Sequence, residues 1–241
     1  MRSEWKGWGA LLLALSVLST LLLIYASLIP LDYQPLSPKE TYLRWRGIPW
    51  LEISLYSRSD WIANALVVMP AAFLLSGAVD MGRASRWVIW GVAPCIAVFY
   101  GAVVLGIEML QVWFPPRTVS QNDIFAGCVG AVGGVMAWLL IGRWWVFAIE
   151  SFFGIERVEA RLRWLAGFGC VASLLYTLYP FDFVLSGAEL KQKVELGRLS
   201  WTLDWEGRSK LELIQGMVVS ALKLVPFGLW YGLAKERRHA W

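Results

Sequence analysis

The feature that most constrains this chain is a series of six long apolar stretches separated by short charged segments. Each is close to the length of about 20 residues that an α-helix needs to cross the hydrocarbon core of a bilayer. The stretches are residues 8–29, 61–79, 87–113, 124–142, 164–181 and 211–234. Because a helix satisfies all of its backbone groups internally, the pattern predicts an all-α integral membrane protein, a bundle of six transmembrane helices.

The composition agrees with this prediction. Of the 241 residues, 58% are hydrophobic and 17% are charged, whereas a soluble domain carries about a quarter charged residues. The 16 tryptophans exceed what a soluble core of this size needs, and such amphipathic rings settle at membrane interfaces. These values exclude a soluble enzyme, a secreted disulfide scaffold and a disordered chain.

Cysteine and histidine offer little for metal binding or disulfide formation. The three cysteines lie inside apolar stretches, and the single histidine, His239, lies in a basic tail. We therefore expect no disulfide framework, no metal and no cofactor. The formal net charge of +4 does not indicate nucleic acid, because basic residues collect in the cytoplasmic loops of membrane proteins.

Basic residues are distributed unevenly between the two ends of the predicted helices. They precede the first stretch, follow the sixth, and lie between the second and third and between the fourth and fifth. The positive-inside rule therefore predicts cytoplasmic N- and C-termini, with the long segments 30–60 and 186–210 outside. Residues 150–163 alternate glutamate with arginine, which predicts a cytoplasmic amphipathic linker at the membrane surface.

The chain partly repeats itself. The sequence Tyr-Ala-Ser-Leu-Ile-Pro-Leu-Asp-Tyr at 25–33 resembles Tyr-Thr-Leu-Tyr-Pro-Phe-Asp-Phe at 176–183, and an apolar helix with a central proline, Pro70 or Pro226, follows each copy. This pattern predicts a partial parallel repeat in which helices 5 and 6 echo helices 1 and 2. The predicted organisation is a four-helix membrane domain at 1–149, the linker at 150–163, and a degenerate second hairpin with a cytoplasmic tail at 164–241.

Polar side chains gather near one predicted end of helices 2, 3 and 4. Each costs about 2.5–3.5 kcal/mol at the centre of a membrane helix and needs a reason. The residues are Asp60, Asn64, Glu108, Gln111, Arg117 and Asp123. Arg117 could bridge Glu108 or Asp123 bidentately, and Ser120 with Asp123 could simply cap a helix. The cluster either recognises a polar headgroup or pins three helices together.

Helix 4 carries a stripe of glycines. Gly127, Gly130 and Gly134 lie at intervals that place small residues along one helix face. Such spacing lets the backbone of a second helix approach closely. We expect these three glycines to serve helix packing.

Lys223 interrupts the sixth apolar stretch near its middle. A cation at this depth needs a partner unless it reaches the interface along its own stem. By depth the nearest carboxylate is Glu108, so the sequence suggests a pair between these two residues.

These motifs together resemble the VanZ-like family over about residues 20–142. The resemblance is carried by Asp60-x-x-x-Asn64 with Pro70, Glu108-x-x-Gln111, Pro116-Arg117, Asn122-Asp123 and Gly130-Ala131-x-x-Gly134. The family commonly places asparagine four residues after the aspartate, where this chain has Gly127. The family is named for a membrane protein that raises resistance to the glycopeptide teicoplanin. The resemblance therefore implies a cell-envelope role in a bacterial inner membrane, with the outer leaflet as the working surface.

Three functions are compatible with these observations. The first is a non-enzymatic protein whose polar cluster binds or shields a lipid-linked envelope precursor or a lipid headgroup, with Arg117 on a phosphate. The second is a membrane enzyme that uses Glu108 or Asp123 as a general acid or base, although no nucleophile–base pair, metal constellation or phosphate loop is visible. The third is a small transporter, which is supported by the parallel repeat and by Lys223.

Overall fold

The computed structural model describes residues 2–51, 58–81, 87–115, 117–154, 158–178, 187–195 and 210–235. Throughout these ranges the regular secondary structure is helical, which confirms the all-α prediction. The helices are α1 (Arg2–Leu28), α2 (Pro38–Arg46), α3 (Arg58–Met81), α4 (Trp87–Gln111), α5 (Gln121–Ala137), a π-helical turn (Trp138–Gly142), α6 (Arg143–Phe153), α7 (Val158–Leu178), α8 (Gly187–Glu195) and α9 (Lys210–Lys235).

Five of the described helices are long and apolar enough to cross a membrane. They are Gly7–Leu28, Arg58–Met81, Trp87–Gln111, Gln121–Phe153 and Ile214–Leu233. The chain is therefore a multi-pass membrane protein. The predicted span at 164–181 lies partly outside the described residues, and α7 is not among these five. The sixth span and the parallel repeat stay predictions.

The fourth span is longer than the sequence analysis predicts. The helix does not end at Gly142 but continues through the π-helical turn into α6, because residues 144–149 are again apolar. Glu150 to Phe153 thus belong to α6, and residues from Val158 onward belong to α7. The described residues of the predicted linker at 150–163 form the end of one helix and the start of another, not a separate helix.

The chain divides into two compact units, Met1–Val146 and Phe147–Trp241. In the first, α3 packs between α1 and α5, and α5 also contacts α4. A Cβ atom at Gly130 would lie 2.0 Å from the carbonyl oxygen of Ala65, and one at Gly134 would lie 2.3 Å from that of Met69. These two glycines therefore let the backbones of α3 and α5 approach closely.

Hydroxyl groups join three helices within the apolar interior of the first unit. Ser16 of α1 donates to the carbonyl oxygen of Ala71 in α3, at 3.0 Å. Its hydroxyl also lies 2.8 Å from that of Tyr100 in α4, which lies 3.0 Å from Thr20. Because these hydroxyl groups hydrogen-bond to one another and to the backbone, they fix the packing of α1, α3 and α4 while satisfying their own polar atoms.

In the second unit, α7 packs against α9. A Cβ atom at Gly169 would lie 2.9 Å from the Pro226 ring, so this glycine allows the close approach. Elsewhere between the same two helices, the ammonium of Lys223 in α9 lies 4.7 Å from the ring centroid of Tyr176 in α7, a cation–π contact. Lys223 thus has an aromatic neighbour within its own unit. The suggested pair with Glu108 would join the two units and stays a prediction.

Candidate functional site

A cavity of about 390 Å³ opens at the end of the first unit where α1 and α4 end and α3 and α5 begin. We call this the cavity end of the bundle. All six polar residues singled out from the sequence line the cavity. Its lining comprises Ser27, Leu51, Asp60, Trp61, Ala63, Asn64, Glu108, Gln111, Arg117, Thr118, Ser120, Asn122 and Asp123.

The helix termini position the carboxylate of Asp123. Ser120 is the N-cap of α5, and its hydroxyl accepts the backbone N–H of Asp123 at 3.1 Å. The same hydroxyl donates to Oδ2 of Asp123 at 2.6 Å, and the carboxamide of Asn64 in α3 donates to Oδ1. Both oxygens of Asp123 thus have partners, so this residue caps α5 and joins it to α3.

Arg117 does not bridge carboxylates as the sequence suggested. Its Nε donates to the carbonyl oxygen of Ser27 at 3.0 Å, and its Nη2 donates to that of Ala26 at 2.9 Å. Gln111 Nε2 also donates to the Ser27 oxygen, at 2.9 Å. The physical reason is that the last carbonyls of α1 have no partner within the helix and carry the negative end of its dipole.

Two polar atoms at the cavity have no hydrogen-bond partner among the described residues. One is Oε2 of Glu108, a residue only 6% exposed, and the other is Nε1 of Trp61. The charged groups that act on the Glu108 carboxyl are Asp123 and Arg117. A buried polar atom without a partner costs about 1–3 kcal/mol of stability. The unpaired acceptor of Glu108 and the unpaired donor of Trp61 therefore both destabilise the folded protein, and both residues line one cavity.

A strap formed by residues 48–51 lies against the start of α5. The carboxamide of Asn122 accepts from the backbone N–H of Leu51 at 2.7 Å and donates to its carbonyl oxygen at 2.8 Å. Next to it, the backbone N–H of Gln121 donates to the carbonyl oxygen of Pro49, and its side chain donates to that of Ile48. Because Leu51 lines the cavity, Asn122 fixes one of its walls.

A second, more apolar cavity of about 210 Å³ adjoins the first, sharing Ser27, Asn64, Glu108, Arg117 and Asp123 with it. The remainder of its lining is Leu23, Ala26, Val67, Val68, Val104, Ile107 and Gly127. A Cβ atom at Gly127 would lie 2.6 Å from a methyl group of Val104. Gly127 therefore serves the packing of α5 on α4 and leaves this wall apolar.

The sequence analysis assigned six lining residues to the polar cluster; it missed Trp61 and named Asn122 only as part of the family motif. A tryptophan at the start of an apolar stretch is ordinary at a membrane interface. The available signal was its spacing, because Trp61 precedes Asn64 by three residues and so lies on nearly the same helix face. For Asn122 the signal was a second carboxamide directly before Asp123, at the start of a helix.

The described residues of the site do not form the cluster of donors that a metal centre needs. Among the described residues, no three histidine, cysteine, aspartate or glutamate side chains come together as metal ligands would. The carboxylates of Asp60, Glu108 and Asp123 are instead distributed around one cavity. Such an arrangement suits an organic group with several polar atoms better than a single metal ion.

A sequence model of the VanZ/LLP1 family matches residues 12–142. No curated protein and no solved structure matches the chain. The matched range contains α3, α4, α5 and every residue that lines the two cavities. It also covers more than half of the 241 residues. The chain therefore belongs to the VanZ/LLP1 family.

Proposed function

We propose that the cavity binds the polar headgroup of a membrane lipid or of a lipid-linked cell-envelope precursor. The observation that carries the proposal is the free donor of Trp61 and the free acceptor of Glu108 at one cavity. Polar atoms that are buried without partners cost stability and need an explanation, and a bound ligand that satisfies them supplies one. In this proposal the protein binds or shields its lipid, and an enzymatic role is the alternative.

The location of the cavity supports a lipid as the ligand. It lies at the ends of helices that are long and apolar enough to span a membrane, so a headgroup reaches it from the interface. The adjoining cavity, with Leu23, Val67 and Val104 in its lining, offers an apolar surface to the first part of an acyl or prenyl chain. A polar chamber beside an apolar one matches the amphipathic form of a lipid.

The distribution of basic residues supports an orientation with both termini in the cytoplasm and the cavity end at the outer leaflet, which for a cell-envelope protein is that of a bacterial inner membrane. There a headgroup-binding protein meets envelope precursors after they have crossed the membrane. Shielding such a precursor from a glycopeptide would give a resistance role of the type that the family name implies.

An enzyme acting on an envelope lipid is the second candidate. The free Oε2 of Glu108 favours it, because a general base needs an oxygen that is not already engaged. Asp123 is a poor candidate for that role, since both of its oxygens accept hydrogen bonds. The cavity lining does hold a hydroxyl next to a carboxylate, Ser120 with Asp123 at 2.6 Å, but the same Ser120 hydroxyl is the N-cap of α5. The small transporter has no such observation in its favour.

The proposal is tested by the thermal stability of the full-length protein in detergent with undecaprenyl phosphate or with phospholipids. Binding to the folded state raises the melting temperature, and the stabilisation grows with the logarithm of the ligand concentration once that concentration exceeds Kd. We expect a rise for the wild-type protein and a smaller one for Glu108→Gln. Asp32→Asn is the matched control, because Asp32 is exposed and lies outside the cavity lining. If no lipid changes the melting temperature, the proposal is wrong.

The same lipids distinguish the enzyme from the binding protein. Incubation with excess lipid followed by mass spectrometry of the lipid fraction reports any chemical conversion. The binding protein returns the lipid unchanged. Conversion that disappears in a folded Glu108→Gln variant would establish the enzyme instead.

A further inference from the structure

The charges around the cavity restrict the kind of headgroup it accepts. Three carboxylates line it, those of Asp60, Glu108 and Asp123, and the basic residue in the described lining is Arg117. Two donors of Arg117 are already directed to the carbonyl oxygens of Ala26 and Ser27. The guanidinium of Arg117 therefore stabilises the end of α1. In the described lining, three carboxylates stand against this one cation.

This charge balance disfavours a simple phosphate. A phosphate brings further negative charge to a site where carboxylates already exceed cations, and like charges at short range oppose binding. A ligand with hydrogen-bond donors, by contrast, can donate to carboxylate oxygens that line the cavity. Oε2 of the buried Glu108 has no partner among the described residues, and the exposed Asp60 lines the same cavity.

A metal cation does not supply the missing positive charge, because the described residues form no cluster of metal-ligating side chains. An ammonium group does. It carries three donors and one positive charge, and a buried carboxylate is stabilised by a paired and hydrogen-bonded cation. The free acceptor of Glu108 thus points to a ligand with a primary amine.

The unpaired donor of Trp61 indicates a second feature of the ligand, a hydrogen-bond acceptor. Trp61 lines the same cavity, and its buried indole N–H has no partner among the described residues; an indole N–H can only donate. A ligand that satisfies both groups presents an ammonium to Glu108 and an acceptor oxygen to Trp61. The headgroup phosphoethanolamine has both, since its phosphate oxygens lie two carbons away from its amine.

We infer that the cavity selects a zwitterionic lipid headgroup with a primary ammonium, which Glu108 accepts while the indole N–H of Trp61 donates to the phosphate. The inference rests on the proposed function and names the class of headgroup. It replaces the assignment of Arg117 to the phosphate that the sequence suggested.

A matched pair of soluble lipids tests this inference. Dihexanoyl phosphatidylethanolamine and dihexanoyl phosphatidylcholine share the phosphate and the acyl chains, but the second has three methyl groups in place of the N–H donors. Calorimetric titration of the full-length protein in detergent gives the Kd for each. A hydrogen-bonded charge pair of about 1.5–3 kcal/mol corresponds to binding of the ethanolamine lipid about 10- to 150-fold more tightly.

Two variants assign the effect to the residues. Glu108→Gln keeps the shape of the side chain and removes its charge, so we expect the preference for the ethanolamine lipid to fall to near unity. Asp32→Asn removes an exposed carboxylate outside the cavity lining and is expected to leave the preference unchanged. A preference that survives Glu108→Gln would overturn the role of Glu108.

The outcomes separate this inference from the proposed function. Equal binding of both lipids that is lost in Trp61→Phe leaves the headgroup site standing and overturns the selection of the amine. Tighter binding of undecaprenyl phosphate than of either phospholipid overturns the zwitterion in favour of an anionic ligand. Failure of every lipid to bind overturns both the proposed function and the inference drawn from it.

Discussion

Arg143 donates two hydrogen bonds to Asp80, from Nη2 to Oδ1 at 2.7 Å and from Nε to Oδ2 at 2.9 Å. The indole N–H of Trp138 donates to the same Oδ2 at 3.2 Å. The pair joins the end of α3 to the start of α6, just after the π-helical turn that carries Trp138. The two partners differ in burial, because the Asp80 side chain is 3% exposed and that of Arg143 is 40% exposed.

This difference predicts unequal effects of the two truncations. Arg143→Ala leaves a buried carboxylate without its counter-ion, which costs about 3–5 kcal/mol. Asp80→Ala leaves an arginine that solvent or lipid headgroups can reach, so we expect a loss of about 1–3 kcal/mol. Unfolding of the detergent-solubilised variants measures both, with Arg46→Ala of the exposed α2 as control. Equal losses for the two truncations would contradict the burial argument.

The sequence predicts the cavity better than it predicts the contacts within it. Asp60 and Glu108 are conspicuous because a carboxylate in or beside an apolar helix is costly, and the helix register then places them at one end. The partner of Arg117 could not be predicted, since a carbonyl oxygen such as that of Ser27 has no signature in the sequence. The ion pair between Asp80 and Arg143 was not predicted for another reason. Each of the two residues follows an apolar stretch, and charged residues are common at such positions.

Gly130 sets the distance between α3 and α5. A Cβ atom there would lie 2.0 Å from the carbonyl oxygen of Ala65, and backbone cannot move aside as a flexible side chain can. We expect Gly130→Ala to destabilise the protein by about 1–3 kcal/mol through forced separation of the helices. Gly106→Ala is the matched control, because a Cβ atom at Gly106 of α4 has no neighbour within 4 Å.

The melting temperatures of these two alanine variants provide the comparison. Gly106→Ala should match or exceed the wild type, since alanine is favoured over glycine in a helix by up to about 1 kcal/mol. Equal melting temperatures for Gly130→Ala and the wild type would show that α5 does not depend on this close approach.

Asn122 holds the strap of residues 48–51 by two hydrogen bonds to Leu51. Asn122→Ala leaves both backbone groups of Leu51 without these partners, at a cost of about 1–3 kcal/mol. We expect faster amide hydrogen exchange at Leu51 and weaker lipid binding, because a wall of the cavity loosens. In Gln121→Ala the exposed side chain loses one bond to Ile48, so its effect should be smaller. Unchanged exchange at Leu51 in Asn122→Ala would contradict this role.

Glu40 makes the short helix α2 sensitive to acid. Its carboxylate accepts hydrogen bonds from the hydroxyl and backbone N–H of Ser37 at 2.7 and 2.9 Å, and these bonds lower the pKa of Glu40 below its ordinary 4.5. A lowered pKa in the folded state contributes stability that is present above pH 4.5 and is lost as the pH falls through the lowered value. Protection of the Thr41 amide from hydrogen exchange should therefore decline in acid.

Ser37→Ala tests this capping box. The variant removes the side-chain hydrogen bond that is the largest cause of the pKa shift, so protection at Thr41 should be lower at neutral pH and vary less between neutral pH and acid. The same pH dependence in the variant and the wild type would exclude Ser37 as its origin.

A variant of Trp61 distinguishes the phosphate contact from the ammonium contact in the inferred headgroup site. Trp61 lines the cavity, its buried indole N–H has no partner in the described part of the chain, and its ring packs near that of Phe125. Trp61→Phe keeps an aromatic ring and removes the donor, so both dihexanoyl lipids should bind about 5- to 150-fold more weakly, the equivalent of about 1–3 kcal/mol. The ratio of the two Kd values should stay constant, because the phosphate is common to both lipids. A Trp61→Phe variant that loses affinity for the ethanolamine lipid alone would place the ammonium, not the phosphate, at the indole.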